Sequence, residues 1–424
     1  MSELLEKAEM ILSKHDLCDH CLGRAFARVS TGLGNDQRGE SLRLALNFIR
    51  ALDDQEPYVH KACFICEDIF DNVPRFAQAA ADALSKVEYN NFLVGTRVDP
   101  LISEREEQVW SLVGQEKAEP IKAELNQEIG KATYVLVQKE VEFHTPDVVA
   151  LVDTRFAHVE IDVAPVFVYG RYKKFSRELP QTYWPCRECR GKGCKRCNGT
   201  GKMYQTSVQE FIGEPIRAAA EGTEHFLHGM GREDIDARML GTGRPFVIEI
   251  RDPRKRNIDL VKLKEEINLL AKDQVEVSDL RVSNREEVRK VKLADPRKTY
   301  EVKVEFEAPV ERKALDDLLS SFNNLEISQQ TPTRVAHRRA DLERKKTILS
   351  AKLVEMEGQV AVIQLETQSG TYVKEFVHGD NGRTDPNISK LIGVQAKVLS
   401  LDVTGILDEP NEGTAEISSS TTNC

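Results

Sequence analysis

Apolar residues recur at helical spacing from the start of the chain. Leu4, Leu5, Ala8, Ile11 and Leu12 share one face, which predicts an amphipathic helix over 2–15. The same period predicts helices over about 40–52 and over 74–87, the latter opened by Pro74. The stretch 91–98 reads as a strand, followed by a charged helical region to about Lys131. Three strand candidates come next: Thr133–Val137, Val148–Val152 and Val159–Val168. From Ser207 to His228 the pattern is mostly helical, with Pro215 as a break or restart. A strand at 244–250, a helix at 259–271 and a strand at 275–284 lead to a basic turn that ends at Lys298. Tyr300, Val302, Val304 and Phe306 then alternate with charged residues, the mark of a half-exposed strand. A helix over 312–321 and strands over 360–365 and 394–403 complete the order, which is that of an α+β protein. Residues 408–424 are acidic, rich in Ser and Thr, and read as disordered.

A chain of 424 residues has room for two or three domains. No apolar run is long enough to span a bilayer. The opening helix is not a signal sequence, so a cytoplasmic protein is expected. The net charge of -10 weighs against a nucleic-acid partner only if it is spread evenly. It is not. Lys173, Lys174, Arg177, Arg187, Arg190, Lys192, Lys195 and Arg196 face only Glu178 and Glu188 in the same stretch. A basic surface on an acidic protein follows.

Cysteine changes the picture further. Eight of the nine cysteines fall in four Cys-x-x-Cys pairs. Cys18/Cys21 with Cys63/Cys66 can supply four thiolates to one ion. Cys186/Cys189 and Cys194/Cys197 form a tandem Cys-x-x-Cys-x-Gly-x-Gly repeat that can supply four more. In a cytosolic chain this pairing predicts structural zinc and not disulfides, and a closed set of four sulfurs leaves no open position for catalysis.

The densest chemistry lies in Gly231–Phe246, where Asp234 and Asp236 sit among Arg232, Arg238 and Arg244 just before a strand. Three stretches now stand in order. Gly231-Arg232-Glu233-Asp234 resembles the motif that carries the catalytic aspartate of pseudouridine synthases. Lys298-Thr299-Tyr300 resembles their second motif, and Gly370-Thr371-Tyr372-Val373-Lys374 their third. The longer strings around Asp234 and Lys374 are similar to the archaeal tRNA pseudouridine(54/55) synthase family, which carries a THUMP-type RNA-binding module. The resemblance implies isomerisation of uridine to pseudouridine at positions 54 and 55 of the TΨC arm of tRNA, without an organic cofactor. It implies Asp234 as nucleophile, Tyr300 packed on the target base and Lys374 paired with Asp234. Asp236 becomes a scaffold partner for Arg238 or Arg244. Tyr372, Val373, Arg232, Arg244 and Leu401 are further candidates for substrate binding.

The implied organisation is an N-terminal helical, zinc-binding region (1–75), a THUMP-type α/β domain (76–170) and a catalytic domain (171–407). The catalytic domain has a mixed, mainly antiparallel sheet, and the four-cysteine zinc knuckle (186–197) is inserted in it. The partner is tRNA, no membrane is involved, and a monomer suffices. The competing class is a non-enzymatic, zinc-stapled RNA-binding or chaperone-like module, since the tandem repeat also resembles half of the zinc region of DnaJ-type chaperones.

Overall fold

A computed structural model describes residues 3–29, 31–338 and 340–408, and the tail expected to be disordered lies, apart from Asp408, outside them. The chain divides into two compact units. One comprises Met1–Pro165 with Arg251–Asn257; the other comprises Val166–Ile250 and the chain from Ile258 onward. Among the described residues no helix is long and apolar enough to cross a membrane.

The first unit runs α1 (Glu3–Leu12), α2 (Asp19–Arg24), α3 (Asn35–Leu52), α4 (Val73–Leu84), β1 (Asn91–Arg97), α5 (Pro100–Val113), α6 (Ile121–Val137), β2 (Glu140–Val141), β3 (Val148–Asp153) and β4 (His158–Val163). Its sheet has the order β2-β1-β3-β4, with β3 and β4 antiparallel and the other pairs parallel. The alternation predicted for β1 is real, since Phe92, Val94 and Thr96 are buried and their neighbours are not. Helices α4 and α6 pack together, α4 on β3 and β4 and α6 on β1. The strand expected at Thr133–Val137 is instead the last turn of α6. Leu125, Ile129 and Thr133 are buried at a helical spacing of four, and the Thr133 hydroxyl donates to the Ile129 carbonyl. Burial of that stripe outweighs the β-branched character of the segment.

The second unit runs β5 (Val166–Lys174), α7 (Val208–Ala219), β6 (His225–Gly229), β7 (Arg238–Ile250), α8 (Leu260–Leu270), β8 (Val275–Ser283), α9 (Arg285–Leu293), β9 (Arg297–Phe306), α10 (Arg312–Ser320), β10 (Asn323–Gln330), β11 (Glu343–Glu357), β12 (Val360–Thr367), α11 (Val373–His378), β13 (Thr384–Asp385), α12 (Ile388–Ile392) and β14 (Ala396–Leu407). A single sheet has the order β13-β10-β11-β12-β9-β14-β7-β5-β8, with β6 added on β7. All its pairs are antiparallel except β14–β7, so the mixed, mainly antiparallel sheet is as expected.

Three expectations are corrected here. The strand predicted over Val159–Val168 is two strands in two sheets, β4 and β5. Helix α7 continues through Pro215 without a break. The basic turn before Lys298 is mostly helix α9, capped by the Asn284 side chain, which accepts from the Glu287 amide.

Strand β7 organises the site. Its first two residues, Arg238 and Met239, pair in parallel with Asp402 and Val403 of β14, and its C-terminal half pairs with β5 and β6. Gly241 (φ +62°) marks the crossing, because a Cβ there would lie 1.9 Å from the Thr404 carbonyl oxygen. The loop that carries both aspartates therefore opens onto the middle of the sheet, beside β14 and next to β9.

Candidate active site and metal centres

The loop between β6 and β7 is held from below by buried charge. The Glu233 carboxylate accepts from Arg244 Nε at 2.9 Å and from the Tyr172 hydroxyl at 2.9 and 3.0 Å, and all three residues are buried. Arg244 Nη1 also donates to the Met230 carbonyl at 2.6 Å. Gly231 (φ +81°) lets the chain pass here, because a Cβ would lie 3.0 Å from Arg244 Nη1 and 3.2 Å from Lys298 Nζ. Beneath the loop, the fully buried Lys174 ammonium donates to the carbonyls of Leu179 (3.0 Å), Asp234 (3.2 Å) and Ile235 (2.8 Å). Burial lowers the pKa of Lys174 to about 8, against the pull of the nearby carboxylates. Lys298, which donates to Ser369 Oγ at 3.2 Å, is likewise lowered to about 8 by burial and by the Arg244 charge.

These anchors leave the carboxylate of Asp234 facing two cations. Arg334 Nη1 donates to Asp234 Oδ1 at 2.8 Å, and Lys374 Nζ lies 3.7 Å from Asp234 Oδ2. Lys374 sits closer to Asp236, at 2.7 and 2.8 Å from its two oxygens. Burial raises the Asp236 pKa, but the Lys374 hydrogen bond and charge outweigh it and hold the carboxyl below its ordinary value. The scaffold pairing expected of Asp236 thus goes to Lys374. Arg238 instead meets Asp402 (3.1 Å from Nε), and Arg244 meets Glu233. The Asp234 side chain is 29% exposed against 65% for Asp236, so Asp234 is the more enclosed of the two.

Tyr300 sits on β9 opposite Leu365 of β12 and Val403 of β14. Its phenol is buried. Burial pushes its pKa up to about 12, Arg244 opposes the rise and the Asp234 charge adds to it. Tyr300 and Asp234 therefore lie within electrostatic reach of each other. The third motif is clamped in place by Gln329, whose side chain accepts from the Tyr372 amide and donates to the Tyr372 carbonyl, both at 2.9 Å. Helix α11 follows, with Val373, Phe376 and Val377 in the core and Lys374 turned to the aspartates. Leu401, on β14, is a core residue whose carbonyl accepts from Arg177 at 3.1 Å.

Of the three motif residues, Lys374 lies 3.7 Å from Asp234, and the Asp234 charge reaches Tyr300. Two other candidates have partners of their own. Arg244 is 1% exposed and holds Glu233, where a contact with substrate was expected. The Arg232 guanidinium lies over the Trp184 ring, 5.4 Å from its centre.

Arg334 was missed as a site residue. It lies in a short 3-10 segment (Thr333–Arg338), and its Nε also donates to the buried Glu375 at 2.7 Å. Burial would lower its pKa, but Glu375 and Asp234 raise it above the ordinary value. Its only signal in the sequence was membership of a basic run between two elements.

Two groups of cysteines could each hold a metal ion. In Cys18, Cys21, Cys63 and Cys66, and in Cys186, Cys189, Cys194 and Cys197, the sulfurs all lie within 4.8 Å of one another. The shorter separations are 3.6 Å (Cys18–Cys66), 3.9 Å (Cys186–Cys194), 3.8 Å (Cys189–Cys197) and 3.7 Å (Cys194–Cys197). A tetrahedral ion with bonds of about 2.3 Å to sulfur sets its ligands roughly 3.8 Å apart, so both groups fit. The amides of Gly193 and Gly201 donate to Cys189 and Cys197 at 3.2 Å, and Arg24 donates to Cys21 at 3.3 Å. These are the donors expected around thiolates.

Comparison with known proteins identifies the family. Residues 167–407 match the family model "Pus10, C-terminal", and residues 76–153 match "Pus10 THUMP domain, archaeal". The tRNA pseudouridine synthase Pus10 of Methanothrix thermoacetophila is 40% identical over 98% of this chain and 97% of its own length. That of Halorubrum lacusprofundi is 40% identical over 97% and 98%. That of Archaeoglobus fulgidus is 43% identical over 83% and 96%. A solved Cbf5-Nop10-Gar1 complex matches at 16% identity over 45% of this chain and 43% of that one, with a TM-score of 0.29, too slight an overlap to add to these. With a family model over more than half its length and relatives matched nearly end to end, the chain belongs to the Pus10 family of tRNA pseudouridine synthases, which are isomerases.

Proposed function

We propose that this protein converts uridine to pseudouridine at positions 54 and 55 of the TΨC arm of tRNA, with Asp234 as nucleophile. The observation that carries the proposal is the enclosed Asp234 carboxylate, faced by Arg334 and Lys374 and within electrostatic reach of Tyr300. The reaction breaks the N1–C1′ bond, turns the uracil and joins C5 to C1′. The C5 proton is lost and N1 gains one, so no redox partner or organic cofactor is required. What the reaction needs is an ionised carboxylate at the reacting atoms, and paired cations favour the ionised form. Tyr300 supplies a ring for a base that has left its stack. Val373, within the third motif, is buried beneath the site, and Tyr372 stands at the start of α11 beside Lys374.

The anchors act through the loop. Lys174 fixes the Asp234 carbonyl and Glu233 is pinned by Arg244 and Tyr172, so the carboxylate cannot drift when the RNA docks. The eight cysteines would hold two structural zinc ions, which staple the fold and take no part in the chemistry. Incubating the protein with an unmodified tRNA transcript and mapping pseudouridine tests the assignment. Pseudouridine at 54 and 55 is expected. Binding of tRNA without any pseudouridine would favour a binding module, and pseudouridine elsewhere would overturn the positions.

A further inference from the structure

The knuckle between β5 and α7 is a surface whose charge the catalytic site does not use. Arg187, Arg190, Lys192, Lys195 and Arg196 are all exposed, and Glu188 is the only acid among them. None of the five makes an ion pair with a described carboxylate, whereas Lys202 at the base is paired with Glu210. A divalent ion in four thiolates carries a formal charge of -2, and the tip stays positive even after that is set against it.

The platform is stiff. Its base is closed by the Cys186 amide on the Gly201 carbonyl (2.7 Å) and the Met203 amide on the Trp184 carbonyl (2.9 Å). Amide-to-sulfur bonds hold its turns. Aromatic rings lie at the root. Tyr183 is partly exposed, with the Lys202 ammonium 5.7 Å from its ring centre, and Trp184 meets Tyr204 edge-on. Trp184 also carries the Arg232 guanidinium, and Arg232 is two residues from Asp234.

A rigid, uncompensated cluster of cations tied to the catalytic loop fits one class of partner, a polyanion whose reacting part lies in that loop. We propose that the 186–197 knuckle is an RNA-docking arm, its five exposed cations gripping phosphates of the same tRNA whose uridine enters the Asp234 site. The inference rests on tRNA being the substrate. Rings at the root add contacts that do not depend on base identity. The arm therefore contributes affinity and register, and the loop contributes chemistry.

The test is tRNA binding by the full chain as a function of salt. Replacing the five cations by Gln should weaken binding at least tenfold near 0.1 M salt and lower the slope of log Kd against log salt by about 2 or more. Turnover at saturating tRNA should stay within about twofold, since no reacting group is touched. The double variant Lys195→Gln/Arg196→Gln, which removes no side-chain bond, should show a smaller change of the same kind. Lys-for-Arg exchanges at 187, 190 and 196 should keep the affinity. The control Lys262→Gln/Lys264→Gln on α8 removes exposed charge elsewhere and should leave the slope unchanged. Unchanged affinity in both knuckle variants would overturn the proposal, as would an equal loss per charge in the control. A wild type that makes pseudouridine while the knuckle variants bind normally would sink the arm alone. Weakened variants beside a wild type that makes no pseudouridine would sink the catalytic reading alone.

Discussion

Replacing Arg244 by Met removes the only guanidinium that the described residues place on Glu233. That carboxylate is 1% exposed, as is the Arg244 side chain, and the two meet at 2.9 Å. Without Arg244, Glu233 keeps the Tyr172 hydroxyl, a neutral donor, and the Met230 carbonyl loses a 2.6 Å bond. Breaking one half of a buried, hydrogen-bonded ion pair costs about 3–5 kcal/mol, because the remaining charge is stranded. The double variant Arg244→Met/Glu233→Leu strands no charge and should recover at least half of that loss. The chain has two tryptophans, Trp110 and Trp184. In a Trp110→Phe background, Trp184 fluorescence reports the catalytic unit during urea unfolding. A single variant within about 1 kcal/mol of the parent, or a double variant no more stable than the single, refutes the view that this pair supports the loop.

Other outcomes follow from the same geometry. Arg334→Gln loses a charge-assisted bond to Asp234 worth about 1.5–3 kcal/mol, so kcat should fall roughly ten- to a hundredfold while KM changes little; an unchanged kcat contradicts this. Lys174 and Lys298 titrate near pH 8 in the fold and at 10.5 when unperturbed. Between those values the unfolded chain binds more protons, so their contribution to stability rises with pH. Activity should move the other way above about pH 8, because a neutral Lys174 has too few hydrogens for three carbonyls. A pH profile beside urea midpoints separates the two trends, and a kcat flat to about pH 9 counts against Lys174. Metal analysis should find two zinc ions per chain and one in Cys63→Ser or Cys194→Ser. Thermal unfolding should be hurt more by Cys63→Ser, since the first four cysteines lie inside a hydrophobic core and the second four do not.

The elements that order the site were legible wherever one face is buried. The alternation of Tyr300, Val302, Val304 and Phe306 became β9. Local pattern failed where tertiary contacts decide. Thr133–Val137 has strand-like residues but completes a buried helical stripe. Helix α9 rests on an Asn cap inside a run that reads only as charged. Within the site, the three motifs pointed to Asp234, Tyr300 and Lys374. No spacing rule could show that Arg334, a hundred residues from Asp234, turns its guanidinium onto that carboxylate. Nor could it show that Lys374 divides itself between two aspartates or that Arg244 faces inward. Those pairings depend on how β7, β14 and the segment after β10 meet in space.

The two aspartates offer the most direct test. Asp234→Asn and Asp236→Asn are nearly isosteric, and Lys374 reaches both side chains. Each is incubated with unmodified tRNA, and pseudouridine is mapped and counted against the wild type. Asp234→Asn should bind tRNA and form no pseudouridine, while Asp236→Asn should keep forming it at a reduced rate. Pseudouridine made by Asp234→Asn, or lost only in Asp236→Asn, would contradict the assignment of the nucleophile.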